Sequence, residues 1–272
     1  MDCSQEEHGA GHLTEMVRIW TANENFWNAQ IVPLILAPLE REGGLHMNGT
    51  IDHVVGIAFG RSVKTFEAVQ LLTSPQRTRR LWDDAFVLTR THYETFVTLE
   101  WICLDPEHRA QLLLDEFALK QAHFLEQLGQ DRDEIRPEQR EGMLRERDAV
   151  LRRHGRGPGT MSLLPRLEER VRVIVGPLRA TYPNLNWEYE FYYRDVSGFA
   201  HPSGWGLILS LQGDVDEVPM VEASPRSGYN AVFCNATWFV RILKRWNMIF
   251  RRISDDTLQK WLNEWGARAG LA

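Results

Sequence analysis

Cysteine is scarce: Cys3, Cys103 and Cys234 are all that 272 residues contain. An odd number at such spacing builds neither a disulfide framework nor a metal-binding pair. Two of the three sit in apolar helical patterns, so they read as reduced residues of a cytoplasmic protein. No apolar run approaches the ~18 residues of a transmembrane helix. The N-terminus, MDCSQEEHGAGH, has neither the basic nor the apolar region of a secretory leader. Positive charge is not in excess either. Thirty-one Lys and Arg against 37 Asp and Glu leave a formal charge of −6, without the bulk basic footprint of a protein that wraps long duplex nucleic acid. Any contact with RNA would be local. G-x-x-x-x-G-K-[ST], H-E-x-x-H, paired C-x-x-C and G-x-S-x-G are all missing, so the familiar P-loop, zinc-protease and hydrolase signatures do not apply. His8 and His12 have the i,i+4 spacing of metal ligands but no acid or cysteine arranged around them. No metal or cofactor is expected.

What the chain does have is ordinary globular composition, 43% apolar and 25% charged, carried mainly on helical periodicity. The pattern predicts one all-α domain over residues 1–272, with its core at about 48–128 and 161–268. Residues 13–42 form an N-terminal helical extension, broken or kinked near Pro33 and Pro38. A helix from a capping Asn48 to Leu72 follows. The next, Arg77 to Leu104, repeats Leu81, Ala85, Leu88, His92, Phe96, Leu99 and Cys103 at spacings of three and four. A helix over 106–128 should turn Leu113, Phe117, His123, Phe124 and Leu128 inward. Residues 129–160 are nearly all charge, then Gly and Pro, and read as a charged helical insert with a flexible tail. Helices near 161–180 and 185–201 come next. Residues 205–221 resemble a small β-hairpin. The segment 229–250, apolar almost all round, should be central, and a last helix, 254–268, opens on a Ser254 cap.

Within YYRDVSGFAHPSG, residues 192–204, Arg194 and His201 lie seven apart, within about 20° of two full helical turns. Ser197 falls on the same stripe, and Pro202 places His201 near a helix C-terminus. One edge then offers a cation, a hydroxyl and a titratable imidazole. Metal-free RNA cleavage uses such groups: a base for the ribose 2′-OH, an acid for the leaving 5′-oxygen, and a cation for the charged phosphorane. A single histidine cannot fill both proton roles in one turnover, so a homodimer would supply the second copy. Equally, Arg and His at a C-terminal turn often do no more than bond its carbonyls.

On the strongest helix, LTRTHYETF places Arg90 and Glu94 four apart, in the less favourable order for a surface pair. Their stripe includes Val87 and Trp101, so it is not plainly a solvent face. Two readings stand: a structural pair, or part of a polar pocket shared with Arg194 and His201. Basic clusters at 77–80, 151–156 and 244–252 read as solvated helix ends, although Trp246 in the last is a candidate to stack on a base. His53 and His92 read as satisfied core or boundary histidines.

The two stretches RTHYETFVTLEWI (90–102) and YRDVSGFAHPS (193–203) together resemble a family of uncharacterised bacterial helical proteins with R-x-x-x-E on one helix and Tyr…Ser-x-x-x-His-Pro on a later one. The second stretch is also similar to the R-x(4–6)-H signature of HEPN proteins, all-α domains that usually dimerise and are often metal-independent ribonucleases of toxin–antitoxin or phage-defence systems. This resemblance implies a HEPN-like bundle and an endoribonuclease. Arg194 would bind phosphate and His201 transfer protons, with Asp195 or Ser197 orienting them. Arg90 and Glu94 carry over only as a shared pattern of unknown role, and with Tyr193 they are the candidates for a ligand or phosphate site. RNA, a second copy of the chain and an antitoxin or defence-system protein are the implied partners, with no membrane. The alternative is a non-catalytic helical module that binds a nucleotide, another anionic ligand or a protein.

Overall fold

The computed structural model describes residues 3–76, 81–127, 136–194 and 225–270. Its elements are helical: α1 (Cys3–Phe26), which continues through a π-helical stretch (Trp27–Leu36) to Ala37–Arg41, α2 (Thr50–Leu72), α3 (Trp82–Cys103), α4 (Pro106–Gln127), α5 (Pro137–Arg153), α6 (Leu167–Leu178), α7 (Leu185–Trp187) running into a π-helical turn (Glu188–Tyr193), α8 (Pro225–Phe250) and α9 (Asp255–Ala269). No strand occurs among the described residues, and the expected hairpin at 205–221 lies outside them. No helix of the described residues is long and apolar enough to cross a membrane.

The architecture follows from α8, which is apolar around most of its circumference and must be covered on several sides. It lies against α1, α2 and α3 at once, while α3 carries α6 on another side and α9 closes over α1. The seam is aromatic. Trp27 stacks on Phe66 at 4.8 Å, Phe66 meets Phe239 at 4.7 Å, and Phe59 stacks on Trp246 at 4.5 Å. Flat rings of this kind contribute about 0.5–1.5 kcal/mol per pair beyond the area they bury. Trp246 is therefore wholly buried and is not a surface platform for a base. Ser254 caps α9 by accepting from the Thr257 amide at 3.2 Å, as its position predicts.

Several expectations change. α1 starts at Cys3 and is not broken at Pro33, which sits inside the π-helical stretch. α2 begins after Gly49, not Asn48, and the Asn48 amide donates to Asp52 at 3.0 Å. His53 is exposed. In α4 the period is as expected but the phase is not. Phe117 and Phe124 are 62% and 59% exposed, and Ala110, Ala118, Leu119, Ala122 and Leu125 turn inward instead.

The charged segment is also not a free excursion. α5 packs on α4, burying Val150 and Leu151. Asp115 of α4, 4% exposed, accepts two bonds from Arg153 at 2.8 and 2.9 Å and one from His154 at 2.7 Å. These donors and Gln111 outweigh the burial that would raise Asp115, and its carboxyl lies below the usual range. Downstream, Lys120 donates to the Met161 carbonyl at 2.7 Å and His123 to that of Thr160 at 3.0 Å, so the tail is tied down.

Candidate functional site

Arg90, Glu94 and Thr98 stand at i, i+4 and i+8 on α3 and therefore share a stripe. Arg90 Nε donates to Glu94 Oε1 at 2.8 Å. From the π-helical turn 99 residues later, Tyr193 Oη donates to the same oxygen at 2.9 Å. The Arg90 guanidinium lies over the Tyr193 ring, 5.0 Å from its centroid, which adds a cation–π contact. Tyr193 is further set by its neighbours, Tyr93 at 5.5 Å and Tyr189 stacked at 5.5 Å. Burial, the largest single effect, would lower Arg90, but the bond to Glu94 together with the charges of Tyr193 and Glu94 outweighs it and the guanidinium is raised. Burial, then the Glu94 charge, raises the Tyr193 phenol. The phenol thus keeps its proton and serves as a donor at neutral pH.

A residue that the sequence pattern does not single out joins this cluster. Arg170 of α6 donates through Nη1 to Thr98 Oγ1, whose own proton goes to the Glu94 carbonyl at 2.6 Å. Burial pulls the Arg170 guanidinium below its ordinary value, against the opposing charges of Glu94, Tyr193 and Glu116. Its Nε is buried with no acceptor among the described residues. Nothing local in LEERVRV marks this arginine, because its contact to Thr98 spans 72 residues.

The turn that delivers Tyr193 is itself anchored. Glu188, at its start, takes a bidentate pair from Arg241 of α8 at 2.6 and 2.7 Å. Arg241 is in turn sandwiched against Phe96 at 5.1 Å and Tyr182 at 4.8 Å. A planar fork gripping a carboxylate while its faces meet rings fixes orientation as well as charge.

Arg194 does not enter the Arg90 cluster. It pairs with Glu190 at 2.7 Å on the surface, with 66% of its side chain exposed, and that bond raises its guanidinium. Trp187 and Phe191, 49% and 56% exposed, stack at 5.1 Å one and two turns before it. Asp195, Ser197, His201 and Pro202 lie outside the described residues. Of the expected site, the structure thus brings together Arg90, Glu94 and Tyr193, adds Arg170 and Thr98, and sets Arg194 on the adjoining surface. His92, by contrast, is a core residue. It is wholly buried in the seam and bonded through Nε2 to the Ser62 carbonyl at 2.8 Å.

No curated protein and no solved structure matches the chain at a significant level. A family model does match, over residues 52–218, a span that holds Arg90, Glu94, Arg170 and Tyr193. The chain belongs to the family of unknown function DUF5677.

Proposed function

We propose that this protein is a HEPN-like, metal-independent endoribonuclease of a bacterial defence or toxin–antitoxin system, working as a homodimer. The observation that carries the reading is the Tyr193–Glu94 bond at 2.9 Å. It joins the R-x-x-x-E stretch of α3 to Tyr193, the first residue of the Y-R-D-V-S-G-F-A-H-P element, and so supports reading the two motifs together. In this reading His201 of one protomer takes the proton from the ribose 2′-OH. The 2′-oxygen attacks phosphorus, the bond to the 5′-oxygen breaks, and His201 of the second protomer protonates that oxygen. A 2′,3′-cyclic phosphate and a 5′-hydroxyl result. Arg194 stabilises the charged phosphorane, and Asp195 and Ser197 orient the pair. The exposed Trp187–Phe191 stack beside Arg194 offers faces for unstacked bases of single-stranded RNA.

A second reading rests on a specific contact. Arg194 is paired with Glu190, and the Arg90–Glu94–Tyr193 cluster is complete without it. This favours a binding module for a nucleotide, another anionic ligand or a protein, with no catalysis. The two readings separate on one experiment: wild type, His201→Ala and Arg194→Ala expressed side by side, with growth followed and RNA incubated with each purified protein in EDTA. The nuclease reading expects cleavage and toxicity from wild type alone. Intact RNA with every form, or equal cleavage by all three, overturns it.

A further inference from the structure

We infer that Arg170 and Arg90, held on either side of Glu94, form a seat for the oxyanion of a phosphate group. The inference rests on reading the Arg90–Glu94–Tyr193 cluster as the ligand site, and it names the ligand chemistry. Two guanidinium groups share one carboxylate there. Arg90 has Glu94 at 2.8 Å. Arg170 forms no ion pair within the described residues, and it donates to the neutral hydroxyl of Thr98. Glu116, the other acid acting on Arg170, is already engaged. It accepts from the Ser162 hydroxyl at 2.9 Å and the Leu163 amide at 2.6 Å, and it faces Lys120 at 3.6 Å.

Among the described residues the stripe thus holds a net positive charge. Partial burial of an arginine costs free energy unless an anion answers it, and a buried Nε with no acceptor among the described residues raises that cost. A phosphate answers the charge, since it is anionic and its several oxygens suit guanidinium forks. Thr98 and Arg90 lie eight residues apart, about 12 Å along the α3 axis, with Glu94 midway. Arg170 reaches the Thr98 end, so the two cations bracket Glu94 along the helix.

RNA, a nucleotide and the free ion all carry this phosphate chemistry, and the test separates them. Binding is measured by calorimetry with inorganic phosphate, with adenosine monophosphate and with a short single-stranded RNA, against chloride at matched ionic strength. Wild type should bind at least one of them. Arg170→Gln should weaken that binding about ten-fold or more, the scale of one charge-assisted hydrogen bond. Arg170→Lys, which keeps the charge and loses the fork, should fall between. Whichever ligand shows the largest dependence on Arg170 identifies the source. Wild-type binding by both folded Arg170 variants, or no binding of any of the three by wild type, overturns the seat. Arg172→Gln, at an exposed arginine of the same helix that pairs with Glu168, should bind phosphate as wild type does. Loss of cleavage by every form, with the Arg170 dependence intact, would defeat the nuclease reading and leave the seat standing.

Discussion

Arg245 of α8 holds both oxygens of Glu100 on α3, through Nε at 3.1 Å and through Nη2, and Glu100 is 1% exposed. The carboxylate is one of the deepest acidic groups among the described residues, and that fork is its ion partner. Arg245→Met leaves an uncompensated buried charge and should cost about 3–5 kcal/mol in urea unfolding. Adding Glu100→Leu should recover most of the loss, because a packed apolar pair is close to neutral relative to a buried ion pair. A double variant no more stable than Arg245→Met would show that the pair acts through packing alone.

His92 predicts a pH dependence. Burial, the largest effect on it, pushes its imidazole down to about 4. The folded state therefore binds fewer protons than the unfolded chain between that value and the ordinary histidine pKa of about 6.5. Stability from this group is full above about 6.5 and falls as pH drops toward 4, by about 3 kcal/mol in all. His92→Gln should flatten that part of the curve of unfolding free energy against pH. A wild-type curve that is already flat there would refute the assignment.

Two helical glycines should respond oppositely to alanine. At Gly228 a Cβ would stand 2.5 Å from Met16 Sδ and 2.9 Å from Trp82 Cδ2, so α8 sits close against α1 and α3 through that missing side chain. Gly228→Ala should lower the unfolding free energy by about 1–3 kcal/mol. Gly266 in α9 has open space around it, and Gly266→Ala should raise the unfolding free energy by about 0.5–1 kcal/mol through helix propensity. Thermal midpoints of both variants decide the matter.

The link between Tyr193 and Glu94 should appear in a double-mutant cycle. Tyr193→Phe and Glu94→Gln together should be non-additive in stability by about 0.5–3 kcal/mol. Strictly additive losses would mean that the two side chains act independently.

How far the residues foretell this structure depends on how local the signal is. α3 and α8 were legible because each has an unambiguous apolar pattern: Ala85, His92, Phe96 and Leu99 are buried as their spacing predicts. α4 misled because Leu112, Leu113 and Leu114 are consecutive. Three adjacent apolar residues fit several helical phases equally, and the packing of Ala110, Ala118 and Ala122 decided among them. At the site, the Arg90–Glu94 pair was visible as an i,i+4 spacing. That Tyr193 would close on Glu94, or that Arg170 would face Thr98, was not, since both depend on how α3, α6 and the turn after α7 meet. Trp246 failed for the same reason, as its basic neighbours suggested a surface that the aromatic seam overrides.

The π-helical stretch Trp27–Leu36 sets how the first helix counts its residues. A proline has no amide to give and strains a regular α-helix; here Pro33 lies where the backbone is wound wider, with bonds reaching one residue further back. Ile31 and Ile35 both reach the core from this stretch. Deleting a single residue between them would let the helix rewind to the tighter form. The tighter winding turns further per residue, so three residues would then cover nearly the arc that four cover now, and Ile35 would stay on the core face. The wide winding thus takes up an extra residue, and a single deletion inside it should be better tolerated than one in the regular helix before it.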